Sequence, residues 1–143
     1  METLLKELRV LFPAEKFIVT GSVALAKYGL FNPDRVDDVD IILVKPTKEA
    51  AELALRMEKE YPPLKKLSGG VRIASFIKDG KHIELYSSLG AERSLCIDGI
   101  EYSLIKDIVT AKKKYNRVKD WLQLRTISRI FFKEEEFNNF LNK

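Results

Sequence analysis

The feature that most constrains the fold is a pair of aspartates at the start of an apolar run. Asp38 and Asp40 are two residues apart and lead into Ile41 to Val44. Such a run predicts a buried strand, and residues two apart in a strand project from one face, so the two carboxylates converge. Like charges placed together are costly unless a cation neutralises them, and Mg²⁺ prefers such oxygen ligands. The pair therefore predicts a metal site, although aspartates that only cap or solubilise a strand edge are the competing interpretation.

A predicted hairpin further along the chain supplies a third carboxylate. Two β-favouring segments, Val71 to Ile77 and His82 to Tyr86, flank Asp79-Gly80, which is among the strongest short hairpin signals. Glu84 alternates with its apolar neighbours, so it would join the aspartates if its strand neighbours theirs. A polar residue on a solvated strand face is the alternative. His82, the only histidine, is interpreted as an ordinary strand-edge residue.

A glycine–serine step follows the first predicted strand. Phe17 to Thr20 is a β-favouring run, and Val23 to Leu30 suits a helix after Gly21 and Ser22. Gly21 permits a sharp turn close to a ligand, and a helix that begins there points free backbone amides toward a phosphate. Ser22 adds a hydroxyl donor, although serine at a helix start is also an ordinary cap. Taken alone, the step indicates little.

The remaining segments complete an α+β fold in which helices flank a small mixed or antiparallel sheet. Helical periodicity predicts helices over residues 2–12, 48–61, 104–115 and 119–131, a polar helix over 133–143, and a short strand at 100–102. We expect a single domain, with residues 1–102 as the α/β core and 103–143 as a helical extension. Its length and 45% apolar content suffice for one buried core.

Composition also predicts where the protein resides. Cys96 is the only cysteine, so it cannot form an internal disulfide, and it is interpreted as a buried or incidental thiol. No apolar stretch approaches the roughly 20 residues that span a bilayer as a helix. We therefore expect a cytoplasmic protein without a membrane role.

Positive charge is concentrated toward the C-terminus. Between Ile105 and Ile130 only two aspartates accompany eight basic residues: Lys106, Lys112, Lys113, Lys114, Arg117, Lys119, Arg125 and Arg129. Such clustering fits a polyanionic partner, either a triphosphate or a nucleic-acid backbone. A solvated basic helix face would give the same pattern.

The order of these features resembles the nucleotidyltransferases of the DNA polymerase beta superfamily. Fifteen residues separate Ser22 from Asp38, a spacing similar to that of AbiEii-type toxin nucleotidyltransferases. Ile97-Asp98-Gly99-Ile100, Ala111-Lys112 and Arg117-Val118-Lys119-Asp120 are similar to the helical portion of that branch. The resemblance covers residues 17–124 and implies a nucleotidyltransferase fold.

The resemblance also implies an activity, the metal-dependent transfer of a nucleoside monophosphate from a triphosphate such as ATP to an acceptor hydroxyl. Its implied cofactor is Mg²⁺ or Mn²⁺, held in two positions by Asp38, Asp40 and Glu84, and Glu84 would also help to activate the nucleophile. The family often has aspartate there, and Glu84 extends farther. The residues implied to bind the nucleotide are Gly21, Ser22, Lys112, Lys119 and Asp120.

The implied partners are a nucleoside triphosphate, RNA such as a transfer RNA, and a cognate antitoxin. The extent of the basic residues favours RNA over a small acceptor. Two other interpretations stay open. One is a catalytically inactive module that binds nucleotide or RNA, and the other is a partner within a toxin–antitoxin pair.

Overall fold

The computed structural model describes residues 1–60, 72–90 and 92–130, which form an α+β fold with a six-stranded mixed sheet. The helices in this part of the chain are α1 Glu2–Leu11, α2 Gly21–Lys27, α3 Lys48–Glu60, α4 Ile105–Tyr115 and α5 Val118–Ile130, with a 3₁₀ turn at Pro33–Arg35. The strands are β1 Lys16–Thr20, β2 Asp38–Val44, β3 Arg72–Lys78, β4 Lys81–Ser88, β5 Ser94–Ile97 and β6 Ile100–Ser103. The predicted fold class is confirmed.

The sheet has the strand order β3-β4-β2-β1-β6-β5. Strand β2 pairs antiparallel with β1 and parallel with β4, so the two carboxylate-bearing strands are neighbours in the middle of the sheet. The predicted hairpin is β3 and β4, joined at Asp79 and Gly80. His82 is the second residue of β4, which lies between β2 and β3 in the sheet.

One face of β2 belongs to the core and the other carries the aspartates. Val39, Ile41 and Leu43 are fully buried, while the alternating residues, including Asp38 and Asp40, keep some exposed surface. This alternation is the period of two that a strand imposes on its side chains. Side chains from all five helices join a single hydrophobic cluster with the sheet.

Two parts of the sequence prediction differ from the structure or lie outside it. Strand β5 is missing from the prediction, although Asp98 and Gly99, both at positive φ, close a tight hairpin between β5 and β6. Cys96 lies on this strand and is exposed, because β5 is the edge of the sheet. The predicted helix over 133–143 lies outside the described residues. None of the helices described is long and apolar enough to cross a membrane.

Candidate active site

A transverse row of polar side chains crosses four strands of the sheet. Thr20 on β1 is in register with Asp40 on β2, Asp40 with Glu84 on β4, and Glu84 with Ser75 on β3. Register partners in adjacent strands project from the same face of a sheet. The row therefore places Asp40 and Glu84 side by side, as the sequence predicts on the condition that their strands are neighbours.

Gly21 follows Thr20 at the β1 end of this row, and a side chain at position 21 would collide with Asp40. Strand β1 ends at Thr20, and Gly21 follows with a φ of +66°, a conformation that favours glycine. A Cβ at Gly21 would lie 2.5 Å from Asp40 Oδ2. The backbone of the glycine–serine step therefore approaches the Asp40 carboxylate directly.

Asp40 and Glu84 form a carboxyl pair whose surroundings favour the protonated form of Asp40. Burial, followed by the charge of Glu84 and a hydrogen bond to it, raises the pKa of Asp40 to about 7. The Tyr86 hydroxyl donates to Glu84 Oε2 at 2.5 Å. Burial also raises the pKa of Tyr86, with smaller contributions from Asp40 and Glu84, so this phenol stays protonated. A hydrogen bond between two carboxyl groups requires that one of them be protonated, because carboxylates only accept.

Asp38 projects from the same face but has basic partners. Its Oδ1 lies 3.1 Å from His82 Nδ1, and its Oδ2 lies 3.6 Å from Lys119 Nζ on α5. The contact with Lys119 links the helical hairpin α4–α5 to Asp38, Asp40 and Glu84, which together form the carboxylate row. Among the side chains that the structure describes, no three histidine, cysteine, aspartate or glutamate groups are arranged to hold a metal ion. Asp38 would have to leave its basic partners to join Asp40 and Glu84.

The surroundings of Asp40 and Glu84 nevertheless fit a hard divalent cation. The pKa of Asp40 is raised because the nearby positive charge is too weak to keep this carboxyl ionised. A bound divalent ion would keep it ionised. The buried Ser75 hydroxyl, on the same face as Glu84, is without a hydrogen-bond partner among the described residues. Gly21 leaves the space beside Asp40 free of a side chain. Asp40 and Glu84 thus supply two carboxylates to such a site, and Asp38, two residues before Asp40 on β2, could supply a third.

A second polar cluster connects α4 and α5 to the glycine–serine step. Lys112, only 7% exposed, donates through Nζ to Gln123 Oε1. Gln123 Nε2 in turn donates to Ser22 Oγ at 3.0 Å. Burial lowers the pKa of Lys112, while the charges of Asp120 and Asp40 oppose that shift. Lys112, predicted from the resemblance to bind the nucleotide, is therefore close enough to the carboxylate row to interact with it electrostatically.

Asp120 is fully buried at the start of α5 and is held by basic groups. Its Oδ2 accepts from the Arg117 backbone N at 3.2 Å and from Arg117 Nε at 2.7 Å, and its Oδ1 lies 3.7 Å from Lys112 Nζ. Burial alone would raise the pKa of Asp120, but the hydrogen bonds and charges of Arg117 and the charge of Lys112 lower it below its usual range. This is the carboxylate half of a capping arrangement at a helix N-terminus. Asp120 thus orients Arg117 and Lys112.

The structure places the site residues in two adjoining groups. One contains Asp38, Asp40 and Glu84 on the sheet, and the other contains Ser22, Lys112 and Asp120, with Gly21 and Lys119 between them. Three further residues contact or adjoin these groups and were not predicted from the sequence: Ser75, Tyr86 and Gln123. Tyr86 had a signal, since it is two residues from Glu84 in a strand, whereas Gln123 is 101 residues from Ser22 and had none.

The architecture is similar to that of known protein structures. A putative nucleotidyltransferase (TM1012) from Thermotoga maritima has a similar structure, with a TM-score of 0.51 and 21% identity over 90% of this chain and 94% of that chain. JHP933 from Helicobacter pylori gives a TM-score of 0.43 and 18% identity over 78% of this chain and 53% of its own, a likeness too weak to support a conclusion. No protein-family model and no curated protein matches the sequence. The first likeness shows a nucleotidyltransferase-like fold, while the AbiEii-type branch stays a prediction.

Proposed function

We propose that this protein is a metal-dependent nucleotidyltransferase that moves a nucleoside monophosphate from a nucleoside triphosphate to an acceptor hydroxyl. The observation that carries the proposal is the close approach of Gly21 to Asp40 beside Glu84. A backbone turn without a side chain meets a pair of adjacent carboxyl groups. That combination suits a ligand made of phosphate groups and a divalent metal ion.

In this proposal Asp40, Glu84 and Asp38 hold Mg²⁺ or Mn²⁺. The bound ion would neutralise the triphosphate and help to orient the reacting oxygens. Asp38 would exchange its contact with Lys119 for the metal, which would free that ammonium for the phosphates. Lys119 is well placed for such an exchange because its side chain is 54% exposed.

The groups around Gly21 would bind the triphosphate. The backbone of Gly21 and the hydroxyl of Ser22 would donate to phosphate oxygens, with Lys112 supplying positive charge from behind. Asp120 would act by holding Lys112 and Arg117 in place, as its contacts indicate. Since the reaction needs positioning and charge stabilisation more than covalent chemistry, a small constellation of this kind is sufficient.

The reaction itself would be an in-line displacement. The acceptor oxygen would form a bond to the α-phosphorus while the bond from that phosphorus to the pyrophosphate breaks. The hydroxyl proton would pass to Glu84, whose Oε2 is held by Tyr86. The products would be a nucleotidylated acceptor and pyrophosphate.

The proposed acceptor is RNA, such as the end of a transfer RNA. Lys113, Lys114, Arg117, Lys119 and Arg125 are exposed on the α4–α5 hairpin, whose Lys119 reaches Asp38. A polyanion bound along this hairpin would thus reach the carboxylate row, and a small acceptor would not need so extended a basic surface.

The test is label transfer from each α-labelled triphosphate, with Mg²⁺, into purified RNA and into a pool of metabolites. Asp40→Asn is the blank and Asp98→Asn, a change in the exposed β5–β6 turn, is the matched control. We expect transfer to fall by at least about 100-fold in Asp40→Asn and to stay unchanged in the control. Binding of a triphosphate without transfer to any acceptor would favour the inactive binding module, and transfer to metabolites alone would exclude the RNA acceptor.

A further inference from the structure

Gln123 on α5 bridges the buried lysine of α4 and the serine of the glycine–serine step. Its Oε1 accepts from Lys112 Nζ, and its Nε2 lies 3.0 Å from Ser22 Oγ. Ser22 lies next to Gly21, the residue that approaches Asp40. The bridge is therefore a direct side-chain connection between the C-terminal hairpin and the candidate site.

The chemistry of the three groups fixes the direction of both hydrogen bonds. A lysine ammonium has three donors and no acceptor, so the Gln123 oxygen must face Lys112 and the amide NH₂ must face Ser22. The NH₂ group only donates, so Ser22 Oγ is the acceptor in that contact. A serine hydroxyl carries a single proton, which is then directed away from Gln123 and is available to another acceptor.

Lys112 is a fixed anchor for this arrangement. It is almost fully buried, and its Nζ also lies 3.7 Å from Asp120, whose carboxylate is held by Arg117. A side chain so enclosed does not turn to a different partner without breaking an ion pair, which makes the amide orientation of Gln123 hard to reverse.

We propose that Gln123 is a positioning residue that keeps the Ser22 hydroxyl as a donor toward a phosphate oxygen of the bound triphosphate. This inference rests on the proposed function, because it deepens the role of Ser22 in nucleotide binding. Through Gln123 the helical hairpin controls the affinity of a site built mainly by the sheet. The effect concerns binding of the triphosphate and leaves the transfer step itself unaltered.

Gln123→Glu tests the direction of the bridge. The introduced carboxylate keeps the length of the side chain and its contact with Lys112, but its second oxygen can only accept, so the Ser22 proton would turn toward it. We expect the Kd and KM for the triphosphate to rise about tenfold, the effect of one lost hydrogen bond, with kcat changed by less than about twofold. A thermal melt establishes that the variant is folded.

The Ser22→Ala background separates this effect from the added negative charge. Repulsion between the introduced carboxylate and the phosphates would persist there, whereas an effect through the Ser22 hydroxyl would disappear. We therefore expect Gln123→Glu to weaken binding much less in Ser22→Ala than in the parent. Gln123→Met, which adds no charge, should show a smaller loss of about threefold that likewise disappears with Ser22→Ala.

The two proposals fail in different ways. If Gln123→Glu and Gln123→Met each weaken triphosphate binding as much in Ser22→Ala as in the parent, the role of Gln123 is overturned. The nucleotidyltransferase proposal would remain intact. A parent protein that binds none of the triphosphates in the presence of Mg²⁺ would overturn the proposed function, and the inference with it. Loss that depends on Ser22, with kcat preserved, is the result that supports the inference.

Discussion

Asp40 is largely buried and Asp120 is fully buried, yet the charges around them are opposite. Asp40 faces another carboxyl group, and burial together with Glu84 raises its pKa to about 7. Burial would raise the pKa of Asp120 as well, but Arg117 and Lys112 hold that pKa below its usual range. The sheet thus carries two adjacent acidic groups that oppose each other's ionisation, and the helical hairpin carries an aspartate that basic groups keep ionised.

This difference is the one expected between a ligand site and a structural cluster. The carboxylate row costs the folded protein stability, which is understandable if the row is completed by a ligand. The Asp120 cluster is complete without any ligand and stabilises the junction between α4 and α5. Replacing the two aspartates should therefore change stability in opposite directions.

The largest effect is expected for Asp120→Asn. The change removes the charge that Arg117 and Lys112 surround, and breaking a buried pair by deleting one partner should cost about 3 kcal/mol of unfolding free energy. Because the pKa of Asp120 is lowered, its contribution is present above its unfolded value of 3.8 and is lost as pH falls below it. Denaturant unfolding of parent and variant at pH 7 and at low pH measures both.

Asp107→Asn is the matched control for that experiment. Asp107 is in the first turn of α4 and pairs with Arg93 at 2.6 Å, but the Arg93 side chain is 56% exposed and that of Asp107 is 35% exposed. Removal of a surface ion pair should cost less than about 1 kcal/mol. Equal losses in the two variants would contradict the structural role assigned to burial of Asp120.

A smaller effect of opposite sign is expected for Asp40→Asn in the presence of EDTA. Between pH 3.8 and about 7 the folded parent keeps the Asp40 proton while the unfolded chain releases it, so the stability of the parent falls as pH rises. The asparagine does not titrate, and the variant should be more stable than the parent by about 2 kcal/mol at pH 8. Denaturant titrations at pH 5 and pH 8 give the difference.

Asp37→Asn provides the comparison for this prediction. Asp37 precedes β2, is exposed, and changes the net charge by the same amount. It should alter neither the stability at pH 8 nor its dependence on pH. A parent whose stability is flat from pH 5 to pH 8 would contradict the raised pKa of Asp40 and remove the contrast between the two aspartates.

Gly21→Ala should weaken triphosphate binding about tenfold, since its Cβ would displace the Asp40 carboxylate. Gly80→Ala is matched to it, because Gly80 also has a positive φ but its added Cβ would meet nothing within 4 Å. Both variants should lose about 1 kcal/mol of stability through backbone strain. Calorimetric titration beside a thermal melt separates binding from stability. Equal binding by the two variants would show that the glycine is purely structural.

The carboxylate row was predictable in part. Alternation places Asp38 and Asp40 on one face of a strand, and the Asp-Gly turn identifies the hairpin that carries Glu84. Local patterns do not determine which strands become neighbours, so the contact between Asp40 and Glu84 depends on a parallel pairing that only the folded chain provides. The orientation of Asp38 toward His82 and Lys119 likewise depends on distant elements.

The hairpin cluster was less predictable for the same reason. The basic run indicates an exposed surface, yet Lys112 and Asp120 within it are buried, because helical periodicity turns them inward beside Val109 and Leu124. The bridge from Gln123 to Ser22 joins residues that are 101 positions apart in the sequence. Strand β5 was missed because it is short and exposed at the sheet edge, and the burial pattern that identifies a strand is weak there.

The smallest expected effect concerns the outer side of the hairpin, where Lys113 and Lys114 are exposed. If RNA binds along this surface, each lysine that contacts a phosphate adds about 0.7 to the salt dependence of log K for a single strand. Lys113→Gln should therefore flatten the slope by about 0.7, which changes the affinity ratio about threefold across a fourfold range of salt. Lys48→Gln, on helix α3 and 86% exposed, is the control and should leave the slope unchanged. Equal slopes for the parent and all variants would mean that the hairpin is only a solvated basic face, because a contact that releases counterions cannot be removed without reducing the salt dependence.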